Sequence, residues 1–100
     1  MLNGRLLKSG ADATLLMEGR IDANNAPTVE KKMLELVKTY DSITADLAGL
    51  QYISSAGLRA FKSVHTEMEK KGGKFVIRNT RRDVMDIFHV TGFSRFLRFE

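Results

Sequence analysis

The chain has 100 residues, 43% of them apolar, which suffices for one domain with a packed core rather than a disordered chain. It contains no cysteine, so disulfides, thiolate nucleophiles and cysteine-ligated zinc are excluded. The net charge of +4 is ordinary for a small domain and does not by itself indicate a nucleic-acid partner.

Two short segments with strand character open the chain. They cover Leu2 to Lys8 and Thr14 to Glu18, and the turn residues Ser9 to Asp12 between them indicate a hairpin. An amphipathic helix follows from about Pro27 to Thr39, because apolar residues recur there at three- and four-residue steps. The only proline stands in its first turn, where the missing N–H costs nothing.

The rest of the chain alternates single strands with helices. We predict strands at Ser42–Leu47, Lys74–Arg78 and Phe96–Phe99. We predict helices from about Ser55 to the glycine pair Gly72-Gly73, and from about Arg82 to Val90. The order β-β-α-β-α-β-α-β indicates an α/β fold with a mixed, mostly parallel sheet of about five strands and three helices.

Two adjacent serines, Ser54 and Ser55, stand where the predicted loop Ala48–Ser54 meets the second helix. Loops at the carboxyl ends of parallel strands collect functional groups. A serine here can cap the helix, a contribution of about 0.5–2 kcal/mol. The same helix mouth offers unpaired N–H groups to an anion, and phosphorylation would add roughly −1.5 to −2 charges there. The sequence alone leaves both possibilities open: a serine that caps the helix and a serine that is phosphorylated as a switch.

No constellation of residues indicates an enzyme. Ser55, His65 and Asp46 are the residue types of a hydrolase triad, with His89 as the other histidine. Ser55 and His65 would lie about 15 Å apart along one helix, at roughly 1.5 Å per residue. No nucleophile elbow or Walker-type glycine loop occurs. Two histidines without cysteine do not indicate a metal site, and we expect no cofactor.

The densest basic region could be either a solvated surface or a nucleic-acid site. Its members are Arg78, Arg81, Arg82, Arg95 and Arg98. Without an aromatic-interleaved motif, a solvated basic face is favoured over a nucleic-acid site. The longest apolar runs are far below the about 20 residues of a membrane-spanning helix, and the N-terminus lacks a secretory signal pattern. We therefore expect a cytoplasmic protein without membrane insertion.

Four stretches of the chain together form a recognisable pattern. They are GRIDANNA at Gly19–Ala26, ITADLAGLQYISSAGLRAF at Ile43–Phe61, KGGKFVIRN at Lys71–Asn79 and IFHVTGFSRFLRF at Ile87–Phe99. The pattern resembles the STAS family, in its anti-sigma factor antagonist branch. The resemblance covers nearly the whole chain, and it implies a single STAS domain over residues 1–100.

The resemblance implies a partner switch. In this branch an anti-sigma factor with serine kinase activity phosphorylates the serine at the helix mouth. The unphosphorylated antagonist binds that partner and frees a sigma factor, and a serine phosphatase resets the cycle. Ser55 stands two residues before Gly57, which implies that it is the phosphorylated residue. Many antagonists have aspartate immediately before the target serine, whereas this chain has Ser54 there, which leaves two candidate hydroxyls and makes Ser54 the second choice. Asp22 matches the acidic residue of the family's first conserved turn, and Asp46 matches the aspartate at the end of the central strand.

The docking surface that the resemblance implies surrounds the helix mouth. Its residues are Asp22, Ala23, Asn24, Asn25, Leu50, Tyr52, Ile53, Ser54, Ala56, Gly57 and Arg59. The apolar residues of the predicted loop could equally belong to the core. A rival function is a STAS scaffold subunit of a lipid-transport or signalling complex, for which charge at Ser55 has little effect on binding. A nucleic-acid binder would instead show strongly salt-dependent affinity.

Overall fold

A computed structural model describes residues 2–100, so Met1, which the predicted domain includes, lies outside the described residues. The elements are β1 (Leu2–Ser9), β2 (Asp12–Ile21), α1 (Ala26–Thr39), β3 (Ser42–Ile53), α2 (Ser55–Lys71), β4 (Lys74–Arg78), α3 (Arg82–Val90), a 3-10 turn (Phe93–Arg95) and β5 (Arg98–Phe99). The five strands form one sheet in the order β1-β2-β3-β4-β5. The first pair is antiparallel and the others are parallel, so the predicted mixed sheet and element order are confirmed.

The helices pack on one face of the sheet around a shared apolar core. Each helix connects two neighbouring parallel strands, and the right-handedness of such crossovers puts all three on the same side. Aromatic contacts agree with this arrangement. Phe61 of α2 packs on Phe75 of β4 with ring centroids 5.9 Å apart, and Phe88 of α3 packs on Phe99 of β5 at 5.0 Å. Phe61 and Phe88 also contact each other, which joins the two helices.

Strand β3 continues to Ile53, so the predicted strand end at Leu47 and the predicted loop Ala48–Ser54 are wrong. The pairing register between β2 and β3 shifts twice, because β3 carries one extra residue at each of two bulges. The bulges bring Leu47, Leu50 and Ile53 into the core although they are spaced by three. That spacing departs from the alternation that identifies a regular strand in a sequence.

Other boundaries differ at the strands more than at the helices. Strand β2 is longer at both ends than the predicted Thr14–Glu18, and the hairpin turn shrinks to Gly10 and Ala11. The predicted last strand loses its first two residues, because the 3-10 turn and the chain after it precede Arg98. The start of α2 and both ends of α3 are confirmed. Gly72 ends α2 in the left-handed conformation at φ 76°, which suits a residue without Cβ.

Helices α1 and α2 are joined by a lysine at their C-terminal ends. Lys71 Nζ donates hydrogen bonds to the backbone oxygens of Val37 at 2.5 Å and Tyr40 at 3.0 Å. Carbonyls at the end of a helix lack partners within it, so this side chain satisfies two of them from the neighbouring helix. The contact links the C-terminal ends of α1 and α2.

Candidate partner-binding site

The mouth of α2 lies where β2 and β3 end side by side. The backbone N–H of Ser54 donates to the oxygen of Ile21 at 2.8 Å, which ties the residue before the helix to the end of β2. Ile21 and Ile53 are paired at the last register position of the two strands, and both are fully buried. The helix therefore starts from a rigid sheet end rather than from the free loop that the sequence predicted.

Ser54 is the N-cap of α2. Its backbone is extended at φ −82° and ψ 169°, and its Oγ accepts a hydrogen bond from the N–H of Gly57 at 3.2 Å. Its carbonyl accepts the N–H of Leu58 at 2.9 Å and so begins the helical hydrogen-bond ladder. These contacts satisfy a donor that the first helical turn cannot satisfy by itself. The capping function predicted for one of the two serines thus belongs to Ser54.

Ser55 is the first residue of α2, and its side chain is solvent-exposed. Within residues 2–100, its hydroxyl has no hydrogen-bond partner. The two serines therefore divide the possibilities left open by the sequence: Ser54 has a structural contact, whereas Ser55 presents a free hydroxyl at the positive end of a helix. A group added to Ser55 would meet solvent and would leave the cap intact.

Gly57 lets α2 approach the strand ends closely. A Cβ at this position would lie 2.7 Å from Cγ2 of Ile21 and 2.8 Å from Cγ1 of Ile53, below any normal contact distance. A glycine is thus required by packing at the third position of the helix. Gly57 is itself buried, so its assignment to the docking surface is wrong. Its contribution is to hold the mouth against the sheet.

The turn Asp22–Asn25 lies between the end of β2 and the start of α1. Asp22 Oδ1 accepts the N–H groups of Asn24 at 2.9 Å and Asn25 at 3.0 Å. In return, Asn25 Oδ1 accepts the N–H of Asp22 at 2.9 Å, and Asn25 Nδ2 donates to the oxygen of Arg20 at 2.9 Å. The exchange has the reciprocal i, i+3 pattern of a capping box, but it lies in the turn before α1, and the N-cap Asn25 makes no side-chain hydrogen bond into the helix. Both side chains shape the turn, and Ala23 and Asn24 remain exposed at its tip.

Two more residues of the predicted docking surface lie in the core. Leu50 is 0% exposed and Ile53 is 1% exposed, because the bulges of β3 turn both toward the helices. Their assignment to the surface is wrong for that reason. Tyr52 is only half-buried, and the Arg20 guanidinium lies 4.5 Å from its ring centroid. Arg20 was missed, since its contact depends on the extension of β3 that the sequence did not indicate.

Asp46 is buried and holds two backbone segments together. Its Oδ1 accepts the N–H of Ala48 at 3.0 Å, at the first bulge of β3, and its Oδ2 accepts Nδ2 of Asn79 at 3.0 Å. Arg78 Nη2 lies 3.7 Å from Oδ2. The carboxylate is thus compensated by hydrogen bonds and a nearby cation, as a buried charge requires. Asp46 thereby links the first bulge of β3 to Asn79, the residue after β4.

The structure does not assemble a hydrolytic triad. Asp46 bonds Asn79, while His89 Nδ1 contacts Ser94 Oγ at 2.9 Å. No three His, Cys, Asp or Glu side chains within residues 2–100 are grouped so that they could hold a metal ion. Across the same residues, none of the helices has the length and apolar character needed to span a membrane.

Comparison with known proteins identifies a family and a sequence relative. The sequence profile of the STAS domain matches residues 8–100. The candidate anti-sigma factor antagonist BtrV of Bordetella bronchiseptica is 31% identical over 78 residues, which cover 77% of this chain and 67% of BtrV.

Solved structures share the fold over nearly the whole chain. A candidate anti-sigma factor antagonist from Thermotoga maritima has a TM-score of 0.88 at 17% identity, covering 96% of this chain and 84% of that chain. The unphosphorylated Bacillus anti-sigma factor antagonist SpoIIAA has a TM-score of 0.83 at 15% identity, covering 98% of this chain and 88% of that chain. Similarity at such low identity establishes a common architecture.

Proposed function

The chain belongs to the STAS domain family, and we propose that it is a non-enzymatic anti-sigma factor antagonist of the cytoplasm. Its unphosphorylated form binds an anti-sigma factor with serine kinase activity and so releases a sigma factor. Phosphorylation of Ser55 by that partner ends the binding, and a serine phosphatase restores it. The names of BtrV and of the structural relatives support the first part of this proposal.

The observation that carries the switch is the free hydroxyl of Ser55 beside the capping hydroxyl of Ser54. A phosphate on Ser55 would lie at the N-terminus of a helix of 17 residues, where negative charge is favourable. Its three acceptor oxygens would meet solvent and unpaired N–H groups. The domain would therefore stay folded after modification, as a reversible switch requires.

Phosphorylation of Ser54 would have a different consequence. Ser54 Oγ accepts the N–H of Gly57 at 3.2 Å, and esterification would rearrange this cap. Losing an N-cap contact costs about 0.5–2 kcal/mol. Ser54 is also only partly exposed, whereas Ser55 is solvent-exposed. The geometry thus supports Ser55 as the modified residue and Ser54 as the residue that preserves the helix mouth.

The phosphate would change the electrostatics of the whole surface. The net charge would fall from +4 to about +2, because a phosphoserine carries roughly −1.5 to −2 charges at neutral pH. The surface at the ends of β2 and β3 includes the exposed Ala23 and Asn24 and the half-buried Tyr52, and the exposed Arg59 lies one helical turn after Ser55. A partner that covers these residues would have to desolvate the phosphate together with any cation paired to it, which is strongly unfavourable.

A pull-down from the native host with four baits tests this function. The baits are wild type, Ser55→Ala, Ser55→Asp and Ser9→Asp. Ser9 is exposed at the hairpin, beside the opposite ends of β2 and β3, and controls for the added charge. We expect a kinase-type ATPase with wild type, Ser55→Ala and Ser9→Asp, and its loss with Ser55→Asp. The same partners on all four baits would contradict the switch and favour the scaffold function.

A further inference from the structure

Phe96 is a large apolar side chain that the fold leaves at the surface. It is 44% exposed, although the next residue, Leu97, is buried at 6%. Its ring packs edge-to-face on Phe93, with centroids 5.7 Å apart, and its N–H donates to the Phe93 oxygen at 3.4 Å. The ring is therefore held in a defined position and does not hang from a loose chain end.

Basic side chains connect this ring to the helix mouth. Lys62 Nζ lies 5.2 Å from the ring centroid of Phe96. On α2, Ser55, Arg59 and Lys62 follow one another at spacings of four and three residues, so they share one helix face over about 10 Å. Arg95, in the 3-10 turn, is also exposed. Among the ion pairs within residues 2–100, none involves Arg59, Lys62 or Arg95.

We propose that Arg59, Lys62, Arg95 and Phe96, here called the basic stripe, form a docking surface for an acidic polypeptide segment that carries an apolar side chain. This inference rests on the proposed function, because the segment belongs to the same anti-sigma factor that covers Ser55. Three cations without carboxylate partners favour an acidic ligand by charge complementarity. The exposed ring supplies the apolar contact that commonly anchors an interface.

The arrangement of the ring favours a polypeptide over a nucleic acid. Single-stranded nucleic acids bind aromatic residues by stacking bases on an open ring face. Lys62 lies over one face of Phe96, and Phe93 packs against the ring edge-to-face. A base therefore cannot stack on the ring face that Lys62 covers, and the exposed part of the Phe96 ring suits an aliphatic side chain better.

The basic stripe also connects the switch to the docking surface. Arg59 lies one helical turn after Ser55, which is the spacing at which oppositely charged side chains pair on a helix. A phosphate on Ser55 would attract the Arg59 guanidinium through charge-assisted hydrogen bonds. Phosphorylation would then remove one cation from the acidic segment of the partner, besides adding a charge at the mouth.

The test uses the kinase-type ATPase recovered by the wild-type bait, purified, and measures its affinity for variants of this chain. We expect Lys62→Glu to weaken binding tenfold or more and Phe96→Ala to weaken it about tenfold. The matched controls are Lys8→Glu, an equal charge reversal on β1, and Val90→Ala, a truncation of an apolar residue that is 87% exposed. Both controls should stay within about twofold of wild type. Circular dichroism checks that each variant is folded.

The outcomes separate this inference from the proposed function. Wild-type affinity for Lys62→Glu and Phe96→Ala, with loss for Ser55→Asp, would overturn the basic stripe and leave the switch standing. Loss for the stripe variants, with wild-type affinity for Ser55→Asp, would support the stripe and refute the switch. Binding of a labelled single-stranded RNA that Lys62→Glu abolishes would overturn the polypeptide ligand. If the wild-type bait recovers no protein, both proposals fail.

Discussion

The two helices that begin beside the ends of β2 and β3 have opposite kinds of start. At α1, Asp22 and Asn25 bond each other's backbone N–H groups, so both polar side chains are occupied within the turn. At α2, Ser54 alone serves as the cap, and the adjacent Ser55 has a free hydroxyl. One capping side chain is enough to start a helix. The hydroxyl of Ser55 is therefore not needed for the cap and is free for the proposed phosphorylation.

A substitution that disturbs the packing of the α2 start against the ends of β2 and β3 should have the largest effect on stability. Gly57→Val puts new atoms where a Cβ would already lie 2.7 Å from Ile21. We expect a loss of about 3 kcal/mol in the free energy of unfolding, because overpacking displaces the helix from the sheet. Gly4→Val is the control, since its Cβ would meet Leu15 at an ordinary 3.8 Å. Urea denaturation measures both, and equal losses would contradict the close-approach account.

Removing the hydrogen bonds of the Asp22–Asn25 turn before α1 should have the next largest effect on stability. Asp22→Ala removes the acceptor for two N–H groups, and we expect a loss of about 1–2 kcal/mol. Asn25→Ala should cost a similar amount, and the double variant should cost less than the sum because the contacts are reciprocal. Asn24→Ala, at the exposed tip, should leave stability nearly unchanged. Additive losses in thermal or urea unfolding would show that the two side chains act independently.

Substitutions of Ser54 and Ser55 should have the smallest effects on the free energy of unfolding, and the difference between them is informative. Ser54→Ala should lower the free energy of unfolding by about 1 kcal/mol, because the N–H of Gly57 loses its acceptor. Ser55→Ala should change it by less than about 0.5 kcal/mol, as for other exposed positions. Equal destabilisation by the two substitutions, measured by urea denaturation, would mean that Ser55 also supports the helix start.

The sequence predicted the helices better than the strand that leads to the site. The starts of α2 and α3 follow from 3.6-residue periodicity and helix-end residues, which are local signals. The end of β3 was missed because two bulges place Leu47, Leu50 and Ile53 in the core at a spacing that no regular strand has. Two residues were consequently placed on the docking surface that belong to the interior.

Long-range contacts explain the remaining gaps. The expected position of Asp46 at the end of the central strand is wrong, because β3 continues to Ile53. Its bond to Asn79 joins residues 33 positions apart and has no local signature. The contact of Arg20 with Tyr52, and that of Lys62 with Phe96, likewise depend on tertiary packing. The serine pair itself was visible in the sequence. Which serine is the cap became clear only from the hydrogen bond to Gly57.

The most direct test of the central claim is to find where phosphate is added. Wild type, Ser54→Ala and Ser55→Ala are each incubated with MgATP and the purified kinase-type ATPase that the pull-down recovers, and the products are mapped by mass spectrometry. If Ser54 is the cap and Ser55 the modified residue, phosphate is expected on Ser55 in wild type and in Ser54→Ala, and none is expected in Ser55→Ala. Phosphate on Ser54, or unchanged modification of Ser55→Ala, would contradict it.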